Sequence, residues 1–346
     1  MRTNDRPPDL LAGIDNLSLD QRTFDPSRDD IERICRFFAI EKLKHYEKEK
    51  GIAVSHSNFF IFVTTIRGPY AIKFYPTDAA KMIAIEYAVN RFLIGHHFPT
   101  PVMYAGHDGR PFLPSHDRLA TCFSYINGRQ AWQQIKQRNT MIQINSAMLS
   151  LKNILSKAQD RIPFLKQIRL MTSVKNLTQA SRALAPYDQK KMIDATLKEV
   201  CRSYQQHQPL FTRQSIHNNT SLTNFLIDKK TVYTLDLSHI REDYALSDLA
   251  SLVISCVFFD IPATTIKTIV KNHFSQHKIT PEYVLVLSTL VRIGLISEYL
   301  KNIRREKAIK NSTYPSNLTR TYLSHLSARQ KDITTFLQRP GTAYLS

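Results

Sequence analysis

Apolar positions along this chain change rhythm near residue 128. Before it they form short aromatic and β-branched runs cut by turns. After it they recur every three or four residues over long stretches. Ile31, Ile34, Phe37 and Phe38 share one face of a short helix that Asp29 or Asp30 would cap. Residues 58–65 carry Phe59, Phe60, Ile61, Phe62 and Val63, the composition of a strand. Arg67-Gly68-Pro69 is a turn, and residues 70–75 are the returning strand of a hairpin. Ile83, Ala84, Tyr87, Ala88 and Phe92 place residues 78–95 on one helix, ended by the extended segment Phe98-Pro99-Thr100-Pro101-Val102. His107-Asp108-Gly109 is a second hairpin turn, residues 119–126 a further strand, and Asn127-Gly128 its close.

Residues 132–206 are mostly helical in pattern, and helices follow over 245–259, 262–275 and 281–305. Between them, residues 225–235 alternate like a tight hairpin around Asp228-Lys229-Lys230. No internal repeat is visible. The pattern predicts an α+β, two-lobed architecture. A small β-rich N-terminal lobe with one main helix spans 29–126, and a larger, mainly helical C-terminal lobe spans 127–346, with a short connector at 124–128. Residues 1–28 are polar, contain Pro7-Pro8 and Pro26, and predict a mobile arm.

Composition narrows the class. The chain has 346 residues, 42% of them hydrophobic, enough for a sizeable core, and only 9 Gly, which excludes low-complexity and collagen-like classes. Cys35, Cys122, Cys201 and Cys256 are widely spaced with no C-x-x-C, so neither a zinc site nor a disulfide framework is expected. No charged-then-apolar leader opens the sequence, and no charge-free apolar run is long enough to span a bilayer; residues 245–261 come closest. These features predict a cytoplasmic protein. The net charge of +18 favours anionic partners such as nucleotides, phosphorylated metabolites or nucleic acid, although the basic residues are spread along the chain.

The residues that carry chemistry lie in a fixed order. Lys73 sits among apolar strand residues in Ala71-Ile72-Lys73-Phe74-Tyr75, and Glu86 follows on the next helix, placed to hold the lysine ammonium. His217, Asn219 and Asn224 fall in the segment Ser215-Ile216-His217-Asn218-Asn219-Thr220-Ser221-Leu222-Thr223-Asn224, and Asp236 follows the hairpin. That hairpin brings Asn224 and Asp236 to one end, where an amide oxygen and a carboxylate suit Mg²⁺, a hard cation. Phosphoryl transfer needs a cation on the phosphates, oxygen ligands for the metal and a group that orients the attacking hydroxyl.

In this order and spacing the chain resembles the aminoglycoside phosphotransferase and choline kinase-like superfamily, and within it most resembles bacterial homoserine kinases of that fold. The resemblance covers roughly residues 30–305 and includes Ser247-Asp248-Leu249-Ala250 as a D-L-A signature. It implies a protein kinase-like fold, ATP and Mg²⁺ as cofactors, and a small acceptor. It further implies that Lys73 and Glu86 serve the phosphates, with Ser55, Ser57 and Asn58 in the nucleotide loop. The hinge around Phe123 and Tyr125 would hold adenine, Asn224 and Asp236 the metal, and Asp248 would brace the loop of His217 and Asn219.

Three departures matter. Asn219 stands where the family has the loop Asp that accepts or orients the hydroxyl proton. Val54-Ser55-His56-Ser57-Asn58 stands where a glycine-rich loop is usual. Leu237-Ser238-His239 replaces further acids, and His239 is a candidate substitute base. Three readings follow: a kinase for a small hydroxylated molecule with a weakened base, a pseudokinase that binds nucleotide or metabolite, and a basic adaptor for nucleic acid or another anionic surface. The charge favours an anionic or zwitterionic acceptor over a polycation.

Overall fold

A computed structural model describes residues 25–48, 59–134, 138–158, 161–162, 165–166, 170–185, 187–274 and 280–308. The first helix, α1 (Arg28–Phe37), begins before the two acidic residues expected to cap it, Asp29 and Asp30. Ser27 is the N-cap, and Asp30 closes a capping box with it, Ser27 Oγ accepting from Asp30 N and Asp30 accepting from Ser27 N at 3.0 Å. Asp30 is thus the third helical residue, where a carboxylate satisfies the cap's own N–H.

An antiparallel sheet follows, ordered β1-β2-β3-β6-β4 with β5 paired to β6. Its strands are β1 (Leu43–Lys48), β2 (Phe59–Thr65), β3 (Gly68–Pro76), β4 (Met103–Tyr104), β5 (Leu113–Ser115) and β6 (Arg118–Ser124). The β2–β3 hairpin turns at Ile66-Arg67 with Thr65 opposite Gly68. Strand β1 was not apparent in the sequence: Leu43-Lys44-His45-Tyr46-Glu47-Lys48 is too polar to read as buried, and it is an edge strand. Alternation sorts the side chains of β3 and β6. Ile72, Phe74, Ala120 and Cys122 pack with Ile31, Ile34 and Phe37 of α1 on one face. Lys73, Tyr75, Leu119, Thr121 and Phe123 occupy the alternate positions, and Tyr75, Leu119 and Phe123 join a cluster with Ile83 of α2 (Ala80–Gly95).

The second region contains α3 (Arg138–Ala158), α4 (Leu170–Leu184), α5 (Tyr187–His207), α6 (Ser247–Phe258), α7 (Ala263–His273) and α8 (Pro281–Ala308). Helix α8 is the one helix among the described residues long and apolar enough to cross a membrane, over Glu282–Lys301. More than half of that stretch is buried here, where Leu287, Val291, Leu295, Tyr299 and Leu300 fill the centre of the helical core. Two small sheets complete the region: the first adds β7 (Arg129–Gln130) to the hairpin of β10 (Phe225–Asp228) and β11 (Thr231–Thr234), and the second sets β8 (Leu165–Lys166) beside two further four-residue strands. The sequence pattern misses β9 (Arg213–Ile216) and β12 (Arg241–Tyr244), four-residue strands rich in polar side chains.

The two regions share a core. Val89 and Leu93 of α2 and Phe98 after it pack with Leu151 and Leu155 of α3 and with Leu237 and Ile240. The segment between α2 and β4 is tied down from both sides. Asn90 donates to the Pro101 carbonyl at 2.7 Å and accepts from Met103 N at 2.9 Å. Thr100 Oγ1 donates to the Thr234 carbonyl at 2.9 Å, and Thr234 N donates to Pro99 O at 3.1 Å.

Candidate active site between the lobes

The site is assembled around Asp236. This residue follows β11 with φ 55° and ψ 62°, a left-handed conformation that costs an L-residue energy and turns the chain sharply. The carboxylate divides its work. Oδ1 accepts from Lys73 Nζ at 2.7 Å and from Ser238 Oγ at 2.7 Å. Oδ2 accepts from Asn219 Nδ2 at 3.2 Å and has His239 Nε2 at 3.4 Å. Burial alone would raise the Asp236 pKa; the Lys73 and His239 charges and the hydrogen bonds from Lys73 and Ser238 override it and hold the carboxyl well below the usual range.

Lys73 comes from the middle of β3, opposite Phe60 and Thr121 on its neighbours. Burial disfavours its ammonium, but Asp236 and then Glu86 hold its pKa above the ordinary value. The Nζ also lies 4.5 Å from the Tyr75 ring centroid and 5.7 Å from that of Phe60, within cation–π range. The expected direct clasp of Lys73 by Glu86 is not what the structure holds. Lys73 is paired to Asp236, while Glu86 accepts from Tyr75 Oη at 2.5 Å and from the Leu237 N–H. Burial raises the Glu86 pKa, with Lys73 opposing it. Glu86 therefore ties α2 to the turn after Asp236 and acts on Lys73 through the field. Tyr75, its partner, was read only as a strand residue, and nothing in the sequence singles it out.

The second wall is the loop after β9. His217 is fully buried; its Nε2 donates to Leu235 O at 2.9 Å and its Nδ1 accepts from Asn219 N at 3.2 Å, which fixes the tautomer with the proton on Nε2. Asp248, at the start of α6, accepts from His217 N at 2.9 Å and Asn218 N at 2.7 Å, and its carbonyl accepts from Thr220 Oγ1 at 2.6 Å. Burial raises the Asp248 pKa against the opposing effects of His217, these N–H bonds and Lys152. His217 and Asp248 thus position the loop from beneath.

Asn224 completes the group. Leu235 N donates to Asn224 O at 2.9 Å, which closes the β10–β11 hairpin and sets Asn224 beside Asp236. Its Nδ2 donates to the Asn219 carbonyl at 2.8 Å. With the amide nitrogen so engaged, Oδ1 is the atom left to meet a cation. Asp236 Oδ2 and Asn224 Oδ1 are hard oxygen donors and fit Mg²⁺ with phosphate and water oxygens filling its remaining positions. Among the described residues no cluster of three or more His, Cys, Asp or Glu is placed to hold a metal ion.

Sequence reasoning also missed a polar knot under the loop, centred on the buried Asp243. Asn218, at φ 62°, has its amide oxygen 2.9 and 2.8 Å from Arg241 Nε and Nη2 and its nitrogen 3.2 Å from Asp243 Oδ2, when the amide is oriented to satisfy all three. Burial pushes the Asp243 carboxyl up to about 6. At the hinge, Phe123 pairs with Met103 across the sheet edge, and Tyr125, partly exposed, meets Phe62 edge-on at 5.7 Å. Ser55, Ser57 and Asn58 lie outside the described residues.

The sequence matches no protein-family model and no curated protein. Solved structures do match. The amicoumacin kinase hAmiN, in complex with AMP-PNP, Ca²⁺ and Ami, aligns with TM-score 0.67 at 12% identity, over 88% of this chain and 94% of that one. An aminoglycoside phosphotransferase from Alicyclobacillus acidocaldarius aligns with TM-score 0.66 at 11% identity, over 93% and 98%. Choline kinase LicA from Streptococcus pneumoniae aligns with TM-score 0.60 at 12% identity, over 86% and 98%. At such identities the likeness is one of fold: this chain has the two-lobed architecture of aminoglycoside phosphotransferases and choline kinases.

Proposed function

We propose that this protein is an ATP- and Mg²⁺-dependent phosphotransferase that acts on a hydroxyl group of a small molecule. The observation that carries the reading is the convergence of Lys73 and Asn219 on Asp236 at hydrogen-bonding distance, with Asn224 joined to the same group through the Asn219 carbonyl, four residues from three separate segments. In this reading the face of β2, β3 and β6 that bears Lys73 and Phe123 takes the nucleotide, with Tyr125 at the hinge. Ser55, Ser57 and Asn58 serve the phosphates. Asp236 and Asn224 hold the metal, whose chemistry is to neutralise charge on the transferring phosphoryl group. Lys73 supplies a fixed cation for phosphate oxygens, and Glu86 and Tyr75 keep it from leaving the cleft. Asn219 orients the acceptor hydroxyl through its amide oxygen. It cannot take the proton, which leaves directly to solvent or phosphate as the new O–P bond forms and the bond to the leaving oxygen breaks.

The net charge of +18 favours an anionic or zwitterionic acceptor, and the pattern likeness to homoserine kinases points the same way. A second reading, a nucleotide-binding pseudokinase, draws on one observation: an amide, Asn219 Nδ2, faces the Asp236 carboxylate where a loop carboxylate is usual. Titration with ATP, with and without Mg²⁺, tests the common core of both. Wild type is expected to bind, and Asp236→Ala to lose the Mg²⁺-dependent part. Wild type that binds no ATP at millimolar concentration would sink both.

A further inference from the structure

We infer that His239 is a direct ligand of the ion carried at Asp236, so that the site takes a first-row divalent ion such as Mn²⁺ in preference to Mg²⁺. The inference rests on the nucleotide–metal reading above and sharpens it to a class of ion.

The geometry is specific. Asp236 Oδ1 accepts two hydrogen bonds, from Lys73 and Ser238, whereas Oδ2 accepts one, from Asn219 Nδ2 at 3.2 Å, and keeps a lone pair for a cation. The ring nitrogen nearest to Oδ2 is His239 Nε2, at 3.4 Å. That separation is longer than a normal N–H···O bond. It agrees with the spacing of two donors on one ion, which runs from about 3.0 Å for adjacent octahedral ligands to about 3.4 Å for tetrahedral ones, given metal–ligand bonds near 2.1 Å. The ring is held there by the chain. Leu237 and Ile240, on either side, are buried in the core shared by the two lobes. The three-residue helical turn Leu237–His239 that follows Asp236 aims Asp236 and His239 toward each other. About a third of the His239 side chain stays open to solvent, as a ligand needs in order to meet an incoming metal–nucleotide complex. Its neighbours Arg241 and Lys73 are cations, so no carboxylate other than Asp236 competes for the ring.

The chemistry then follows. Imidazole nitrogen is a borderline ligand that suits first-row transition ions, whereas Mg²⁺ selects oxygen and parts reluctantly with water. A set of one carboxylate, one amide oxygen and one imidazole therefore shifts selectivity without excluding Mg²⁺.

The test uses the full chain, Mn²⁺ and a β,γ-methylene ATP analogue, which has no bridging nitrogen. Pulsed electron paramagnetic resonance of bound Mn²⁺ is expected to show the coupling of a coordinated imidazole nitrogen. His239→Ala is expected to retain nucleotide-dependent Mn²⁺ binding, lose that coupling, and lower the Mn²⁺ to Mg²⁺ affinity ratio by at least about tenfold, the lower end of what losing even an outer-shell partner costs. His239→Asp, which substitutes oxygen for nitrogen, is expected to move the ratio further toward Mg²⁺. Bound Mn²⁺ without nitrogen coupling, or coupling that persists in His239→Ala, would overturn the inference and leave the phosphotransferase reading intact. If the nucleotide analogue causes no Mn²⁺ binding at all, seen as an undiminished signal of the free ion, both fall together.

Discussion

At the scale of single residues the decisive position is Asn219. Its backbone and side chain are held at three points: N–H to His217, carbonyl to Asn224, and Nδ2 to Asp236. The loop is therefore framed for a side chain of this length, and only the chemical nature of that side chain differs from a proton acceptor. Asn219→Asp is expected to raise phosphotransfer in the presence of a competent acceptor, by up to the roughly 10²- to 10⁴-fold that a general base contributes. The opposing term is repulsion from Asp236, whose Oδ2 lies 3.2 Å from the present amide nitrogen, so the gain requires the divalent ion. Steady-state turnover with and without added metal measures this. Unchanged turnover with the ion bound would show that the side chain at 219 does not limit the proposed reaction.

At the scale of elements, placement matters more than identity. Helix α2 carries Glu86 toward β3 and the turn after Asp236, and Asn90, one turn later, pins the segment that leads to β4 and the hinge. Both polar atoms of the Asn90 side chain are satisfied, by Pro101 O at 2.7 Å and Met103 N at 2.9 Å, in a residue that is almost wholly buried. Asn90→Ala leaves the buried Met103 N–H and the partly buried Pro101 carbonyl without their partner, and an unsatisfied buried group costs about 1–3 kcal/mol. A fall in the urea midpoint, together with weaker nucleotide binding through the displaced hinge, is the expected outcome. A variant as stable as wild type would show that the segment is fixed by packing alone. The same scale explains what pattern reading misses. Strands β9 and β12 are four residues each and hydrogen-bond mainly to one another, so their sequences carry no period long enough to detect.

At the scale of the whole molecule, the polar knot under the loop links folding to pH. Asp243 is buried at the junction of β12 and the catalytic-type loop, with Arg241, Arg213 and Asp248 as its charged neighbours. Burial is the main cause that lifts its pKa from 3.8 to about 6, so the folded protein holds this proton more tightly than the unfolded chain does. Between about pH 4 and pH 6 the folded state therefore binds more protons, and this group's contribution to stability falls as pH rises, then levels off. That rise corresponds to at most roughly 3 kcal/mol. Asp243→Asn should abolish that dependence: the stability difference between wild type and variant, from urea unfolding at a series of pH values, is expected to shift in favour of the variant from pH 4 to pH 6. A difference that stays flat across that range would mean the carboxyl ionises as freely in the fold as out of it.

Much of this protein is legible in the sequence alone. The change from strand-like to helical rhythm near residue 128 and the hairpin around Asp228-Lys229-Lys230 anticipate the two-lobed fold, because periodicity and turn chemistry are local properties. Local signals cannot say which charges meet. That Lys73 pairs with Asp236 and Tyr75 with Glu86, that His239 shares an oxygen of Asp236 with Asn219, and that Asn218 joins Arg241 to Asp243 depend on contacts between residues as many as 163 positions apart. The packing of α2 against the turn after Asp236 and the pairing of β9 with β12 bring those groups together. In a buried site, the neighbours decide each group's charge and partner.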